Sequence, residues 1–185
     1  MFGFLFKEKR LNDSGQGLFL SIIEQSRLPF FYADMGVADS IDGRFDVMVL
    51  HMAILLDKLD KHSDEVPEAM KLRRIVQEIM FDNLDLTLRE IGVGDLGVGK
   101  KIKVMAEAFY GRVKAYQALF LSENSEEMSE ALKRNIYRGN ETDKKILSHF
   151  SAYIFKMRQE VSKQPILDIM EGKITFLKPV GIKND

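Results

Sequence analysis

The sequence has no cysteine, no tryptophan, and only three histidines and four prolines among 185 residues. Without cysteine the chain has no thiol nucleophile, no disulfide and no thiolate metal ligand. No stretch reaches the roughly 18 uninterrupted apolar residues that a membrane-spanning helix needs. Because 27 basic residues nearly balance 28 acidic ones, we do not expect a nucleic-acid-binding protein. Partners must therefore be inferred from local patches of the chain.

Apolar residues recur at helical spacing along the whole chain, and hydrophobic residues make up 45% of it. We therefore predict an all-α fold, a single compact multi-helix domain over residues 16–178. A flexible aromatic and basic N-terminus is predicted at 1–15, and a loose tail at 179–185. The predicted helices cover 16–28, 45–59, 67–91, 102–120, 125–139 and 142–161, with a short turn at 165–172. The second helix has almost no polar face, which predicts that it runs through the middle of the domain.

A glycine-rich run matches two phosphate-binding fingerprints, GxGxxG and GxxxxGK, and its glycines are Gly92, Gly94, Gly97 and Gly99. Both fingerprints need a strand that leads into a helix N-terminus, but the residues before Gly92 have helical spacing. Lys101 also stands where a P-loop has its magnesium-binding hydroxyl. We therefore predict that the four glycines form a helix–helix connector, which positions the following basic helix, and not a nucleotide site.

No catalytic or metal-binding pattern is present. The three histidines lack HxxxH or HExxH spacing, and no serine lies in GxSxG. His51 falls in the most apolar helix, where a buried and hydrogen-bonded imidazole is the expected state. The sequence therefore predicts a binding protein that is not an enzyme and that uses no cofactor or metal.

Two surfaces are candidates for binding. The connector before the second helix carries Tyr32, Asp34 and Arg44, whose aromatic and charged groups can select a polar peptide; alternatively, Arg44 only anchors the loop to neighbouring carboxylates. The helix after the glycines carries Lys100, Lys101, Lys103, Tyr110, Arg112 and Lys114. This face can meet anionic lipid or an acidic loop, or it is an ordinary solvated helix face.

The N-terminus places Phe2, Phe4 and Phe6 beside Lys7 and further cations. Such a segment can insert its rings into a bilayer interface while its cations meet anionic headgroups. The alternative is a chain end that packs its phenylalanines on the domain. A membrane contact at these residues is thus one of two open predictions.

Two segments resemble the ubiquinol-cytochrome c chaperone family. They are YADMGVADSIDGRFDVMVLH, residues 32–51, and MFDNLDLTLREIGVGDLGVGKKIKVMAEAFYGR, residues 80–112. The most specific part is GVGDLGVGKK followed by MAEAFYGR, in a chain that also carries DGRFD upstream. The likeness extends over most of the chain.

The resemblance implies an assembly factor for the respiratory cytochrome bc complex. Such a protein binds newly made cytochrome b, together with a small partner protein, and shields it until haem and further subunits arrive. On the two candidate surfaces, the residues that we expect to contact such a client are Tyr32, Asp34, Arg44, Lys100, Lys101, Tyr110 and Arg112. Because no Arg- and Ser-rich presequence is evident, we expect a bacterial member, peripheral on the cytoplasmic face of the inner membrane. The alternative is a lipid- or quinone-binding peripheral membrane protein.

Overall fold

The computed structural model of the chain describes the backbone of residues 2–180 and the side chains of residues 7–180. This part of the chain contains seven α-helices and one π-helical turn, and no β-strand. The elements are α1 (Phe2–Ser26), the π-helical turn (Phe30–Asp34), α2 (Ile41–Lys61), α3 (Glu68–Glu90), α4 (Asp95–Ser122), α5 (Ser125–Asn135), α6 (Lys144–Lys163) and α7 (Ile166–Met170). The predicted all-α domain is confirmed.

Helix α2 lies at the centre of the domain, as its composition predicts. It contacts α1, α3, α4 and α6, and nearly all its side chains beyond the first turn are buried. Ser40 caps its N-terminus, because the Ser40 hydroxyl accepts a hydrogen bond of 3.1 Å from the backbone N–H of Gly43. A side chain at Gly43 would overlap the carbonyl oxygen of Ala38, so glycine is required for this tight entry into the helix.

Helix α1 is longer than the sequence predicts, because it begins at Phe2 and not at Gln16. Two residues of poor helix propensity, the glycines at 15 and 17, lie within it. In the structure Gly15 is a point of close packing, since a Cβ atom there would lie 2.7 Å from the Cγ2 atom of Ile75. The glycine allows α1 and α3 to approach each other, and this packing compensates for its poor helix propensity.

The connector before α2 is more regular than the predicted loop. Residues 30–34 form a π-helical turn, in which the N–H of Met35 donates to the carbonyl of Phe30 over 3.0 Å. Phe30 and Phe31 are both buried, and their rings contact Tyr153 on α6. The wider turn allows two adjacent aromatic side chains, Phe30 and Phe31, to be buried together. An ordinary α-helical turn after Pro29 would point these two side chains in other directions.

The helix directions bring three helix ends to one side of the domain. Helices α2 and α4 run parallel, because Asp46 pairs with Arg112 and Asp60 accepts a hydrogen bond of 2.8 Å from Gln117. Helix α3 runs in the opposite direction, since Asp60 also pairs with Arg73 near the start of α3. The start of α2, the start of α4 and the end of α3 are therefore neighbours.

A cluster of buried polar groups joins α1, α2 and α6 in the interior. The Nδ1–H of His51 donates to the carbonyl of Val47 over 2.9 Å, and its Nε2 atom accepts from the Tyr153 hydroxyl over 3.0 Å. Gln25 donates to the same Tyr153 oxygen over 2.9 Å. Burial lowers the pKa of His51 to about 4, so the imidazole is neutral at pH 7. The predicted buried, hydrogen-bonded histidine is confirmed.

Candidate functional site

A surface groove of about 510 Å³ lies where the start of α2, the end of α3 and the first half of α4 meet. Below we call it the α2–α4 groove. Its lining residues are Ser40, Ile41, Asp42, Leu88, Lys100, Lys101, Val104 and Met105. All of these residues belong to the two segments, 32–51 and 80–112, that carry the family resemblance. The fold thus brings the two distant motifs together around one concave surface.

The α2–α4 groove combines an apolar floor with charged walls. Leu88 and Met105 form the buried floor, while Val104 at the rim is 64% exposed. Lys100 and Lys101 are exposed and have no ion-pair partner among the described side chains. An apolar surface beside unpartnered cations can bind a segment that carries both apolar and acidic side chains.

A buried ion-pair cluster fixes the wall of the groove that α2 provides. The Asp46 side chain is 1% exposed and pairs with Arg112 of α4 and, over 3.2 Å, with Arg138 after α5. Arg138 also approaches Asp42 of the groove, at 3.4 Å. Burial raises the pKa of Asp46 to about 6, although the guanidinium groups of Arg112 and Arg138 act to lower it. The cluster holds α2, α4 and the α5–α6 loop together.

Arg112 belongs to this cluster and not to the open helix surface on which the sequence analysis placed it. Its side chain is only 16% exposed, and its guanidinium lies 5.8 Å from the centre of the Phe45 ring. Both the charge and the stem of Arg112 are thus used inside the domain. A direct client contact at Arg112 remains a prediction that this geometry does not favour.

Tyr32 and Arg44 lie in a second, separate cleft of about 290 Å³, which shares no lining residue with the α2–α4 groove. Arg44 donates two hydrogen bonds to Asp39, of 2.6 and 3.2 Å, so it anchors the loop as one interpretation of the sequence had it. Hydrogen bonding to Arg44 lowers the pKa of Asp39. Tyr32 donates to the Ser26 carbonyl over 2.7 Å, and Asp34 is exposed at the end of the π-helical turn.

The remaining residues singled out by sequence lie near the α2–α4 groove but do not line it. Tyr110 is exposed on α4, where its ring lies 6.2 Å from that of Phe81 on α3. Of the four glycines, only two lie in the connector between α3 and α4, and Gly92 there has a φ of 87°. Gly94 is the N-cap residue of α4, whereas Gly97 and Gly99 lie in its first turns.

Sequence reasoning missed the apolar members of the groove. Val104 lies on the face of α4 opposite to the buried row that includes Met105 and Phe109. A valine that lies outside the buried face of an amphipathic helix indicates a contact surface, and the sequence alone shows it. Ile41 and Leu88 carried no such signal, because only the fold brings the start of α2 against the end of α3.

The predicted membrane contact at the N-terminus is described only in part. The side chains of Phe2, Phe4 and Phe6 lie outside the described residues, and Lys7 forms an ion pair with Glu68 at the start of α3. The α2–α4 groove lies at the other end of α3, about 30 Å away for a helix of this length. None of the described helices is sufficiently long and apolar to cross a bilayer.

The described part of the chain is thus an all-helical domain with an open groove that both motifs line. The model of the ubiquinol-cytochrome C chaperone family matches residues 33–176, and the chain belongs to this family. Its structure is similar to the crystal structure of the Cbp3 homolog from Brucella abortus. That match has a TM-score of 0.82 and 29% identity, and it covers 96% of this chain and 97% of the other. No curated protein matches the chain. Family and fold indicate a ubiquinol-cytochrome c chaperone, a non-catalytic assembly factor.

Proposed function

We propose that this protein assists assembly of the cytochrome bc complex by binding newly made cytochrome b at the α2–α4 groove. It shields this client until haem is inserted and further subunits dock. The observation that supports the proposal is the meeting of segments 32–51 and 80–112 at one concave surface with unpartnered cations. Exposed apolar segments of an immature membrane protein favour aggregation, and a bound chaperone covers them.

The groove provides two kinds of contact for such a client. The floor formed by Leu88 and Met105 can pack against apolar side chains of a helix or an extended segment. Lys100 and Lys101 can pair with a carboxylate or with the carbonyl end of a helix. The contacts then fix both the position and the direction of the client segment.

Release of the client requires no nucleotide in this proposal. Haem insertion or subunit docking changes the conformation of cytochrome b, so the bound segment becomes buried in the growing complex. The client then has a lower affinity for the chaperone, and the equilibrium shifts towards release.

We place the protein in a bacterium, on the cytoplasmic face of the inner membrane. The bacterial origin is supported by the source of the similar crystal structure, and the membrane face stays a proposal. The cleft of Tyr32 and Arg44 offers a second surface, on which the small partner protein implied by the resemblance can bind without occupying the α2–α4 groove.

A pull-down from membranes in mild detergent tests the client and the groove together. We expect the wild-type protein to recover cytochrome b, and the Lys100→Glu/Lys101→Glu variant to recover about tenfold less, since charge repulsion replaces attraction. Lys144→Glu/Lys145→Glu is the matched control, because these adjacent lysines are also exposed near a helix start. Equal recovery by both variants would exclude the groove, and a wild-type pull-down without cytochrome b would exclude the client.

A further inference from the structure

We propose that the tip of the α3–α4 hairpin, residues 91–103, is an anchor that binds an anionic membrane surface. Leu96 at this tip is 89% exposed, the largest value for any large hydrophobic residue among the described side chains. Ile91, on the other side of the connector, is also exposed. No packing against the rest of the domain explains the position of Leu96, so its apolar surface is free for a partner.

Three lysines follow the apolar tip along α4. Lys100 and Lys103 lie on the side of the helix that carries Leu96, one and two turns after it, whereas Lys101 lies toward the opposite side. None of them has an ion-pair partner among the described residues. Asp95 beside Leu96 pairs with Arg89, which also binds Asp85. Arg89 of α3 thus offsets part of the negative charge of Asp85 and Asp95.

The shape of the tip favours a lipid surface over a protein groove as its partner. The apolar side chains project from a connector and the first turn of a helix, with charged ends one to two turns behind them. At a bilayer, such a tip can place Leu96 and Ile91 at the acyl boundary while the flexible lysines reach the phosphate level. Negative surface charge of the membrane attracts each lysine.

This contact would also orient the chaperone. Lys100 and Lys101 belong both to the tip and to the wall of the α2–α4 groove, so the groove would open directly beside the bilayer. Lys7, in the N-terminal segment, pairs with Glu68 at the opposite end of α3. The two possible membrane contacts therefore predict opposite orientations, which one experiment can distinguish.

The absence of tryptophan makes a direct test possible. Leu96→Trp adds a unique fluorescent reporter at the tip, and Leu121→Trp adds one at the far end of the same helix, where Leu121 is 75% exposed. The probe is a vesicle of phosphatidylcholine with 30% phosphatidylglycerol. We expect a blue shift and quenching by brominated lipid for the Leu96→Trp protein, and neither change for the Leu121→Trp protein.

Vesicle cosedimentation then measures the two components of binding. Replacing the three lysines by glutamine should lower binding on the order of 100-fold, from about fivefold for each cation near the surface. Leu96→Ser should lower it by about tenfold, whereas Leu121→Ser should leave it unchanged. Pure phosphatidylcholine vesicles and high salt should both weaken binding of the wild-type protein.

Several results would overturn the anchor. They are absence of wild-type binding to anionic vesicles, equal binding by the Leu96→Ser and wild-type proteins, or loss of binding only after Phe2, Phe4 and Phe6 are changed to serine. Since the vesicles contain no cytochrome b, this test is independent of the proposed function. The Leu96→Ser variant keeps Lys100 and Lys101, so its loss of lipid binding with unchanged recovery of cytochrome b in detergent would support the anchor and keep the two activities separate.

Discussion

The α2–α4 groove and the interior around His51 differ in whether their polar side chains have partners within the chain. Around His51, the ring nitrogens, the Tyr153 hydroxyl and the Gln25 amide all have partners within the chain. At the groove, Lys100 and Lys101 have no carboxylate partner among the described residues. A buried polar group without a partner costs about 1–3 kcal/mol, which favours the pairing around His51, while a solvated surface can leave cations free.

This contrast assigns different roles to charged residues that look alike in the sequence. Arg112 lies only eleven positions beyond Lys101, yet it is paired with buried Asp46. From this contrast we expect Arg112 to stabilise the fold, and we propose the lysines for binding a partner. The two roles differ in how strongly a substitution should change the free energy of unfolding.

Replacing Arg112 by alanine should lower the free energy of unfolding by about 3–5 kcal/mol. The reason is that Asp46 is 1% exposed and would keep only its weaker contact with Arg138. Urea unfolding followed by circular dichroism measures the change. Lys101→Ala is the matched control on the same helix. A loss of unfolding free energy below 1 kcal/mol for Arg112→Ala would mean that Arg112 behaves like a surface cation, and it would contradict the difference between Arg112 and the lysines.

The neutral state of His51 should make stability depend on pH. Its pKa is lowered to about 4 in the folded chain, while an unfolded histidine titrates near 6.5. Below pH 6.5 the unfolded chain binds a proton that the folded chain does not. The free energy of unfolding should therefore fall by about 3 kcal/mol between pH 7 and pH 4 through this group.

Comparison with His51→Asn isolates this effect, because asparagine does not titrate. Asp46 acts in the opposite direction, since its raised pKa of about 6 lets the folded chain bind a proton first as the pH falls. The stability difference between wild type and variant should narrow steadily from pH 6.5 to pH 4. A difference that is constant with pH would show that His51 is not kept neutral by the fold.

Two glycine substitutions should change stability in opposite directions. Gly43→Ala forces a Cβ atom against the Ala38 carbonyl at the start of α2 and should cost about 2 kcal/mol. Gly111→Ala, in an open position of α4, should stabilise by about 0.5–1 kcal/mol through better helix propensity. Thermal melts compare the two. Stabilisation by both substitutions would mean that the tight entry into α2 is not required.

Removing the groove cations should have the smallest effect on stability. The Lys100→Gln/Lys101→Gln variant should unfold within about 0.5 kcal/mol of wild type, since exposed substitutions without partners rarely change more. Denaturant unfolding at low and high salt measures this value. A loss above 2 kcal/mol would show that these lysines have a structural partner and would weaken their assignment to client binding.

The sequence predicted the helices well but could not predict which charges are free. Periodicity located α3 and α6, because each buries a regular apolar row, and an almost continuous apolar composition located α2. The predicted start of α1 at Gln16 was wrong, because the helix begins at Phe2. The ion pair of Arg112 could not be predicted from the sequence. Its partner Asp46 is 66 positions away and contacts it only because α2 and α4 pack in parallel.

The sequence predicted the lysines of the α2–α4 groove but not its apolar residues. Lys100 and Lys101 were identified from the charge pattern of α4, whereas Ile41 and Leu88 join them only when three helix ends converge. Tyr32 and Arg44 were predicted on a separate candidate surface from the lysines, and in the structure they line a different cleft. Local pattern thus identifies charged residues on one helix, and tertiary contacts decide which of them share a site.

Site-specific photo-crosslinking in living cells tests the central claim most directly. A photoreactive residue at Val104, on the rim of the α2–α4 groove, should crosslink to immature cytochrome b, and the yield should fall once haem is inserted. The same residue at Leu121, also exposed on α4, should give no such product. Equal crosslinking from both positions, or crosslinks from Val104 only to other proteins, would contradict the account.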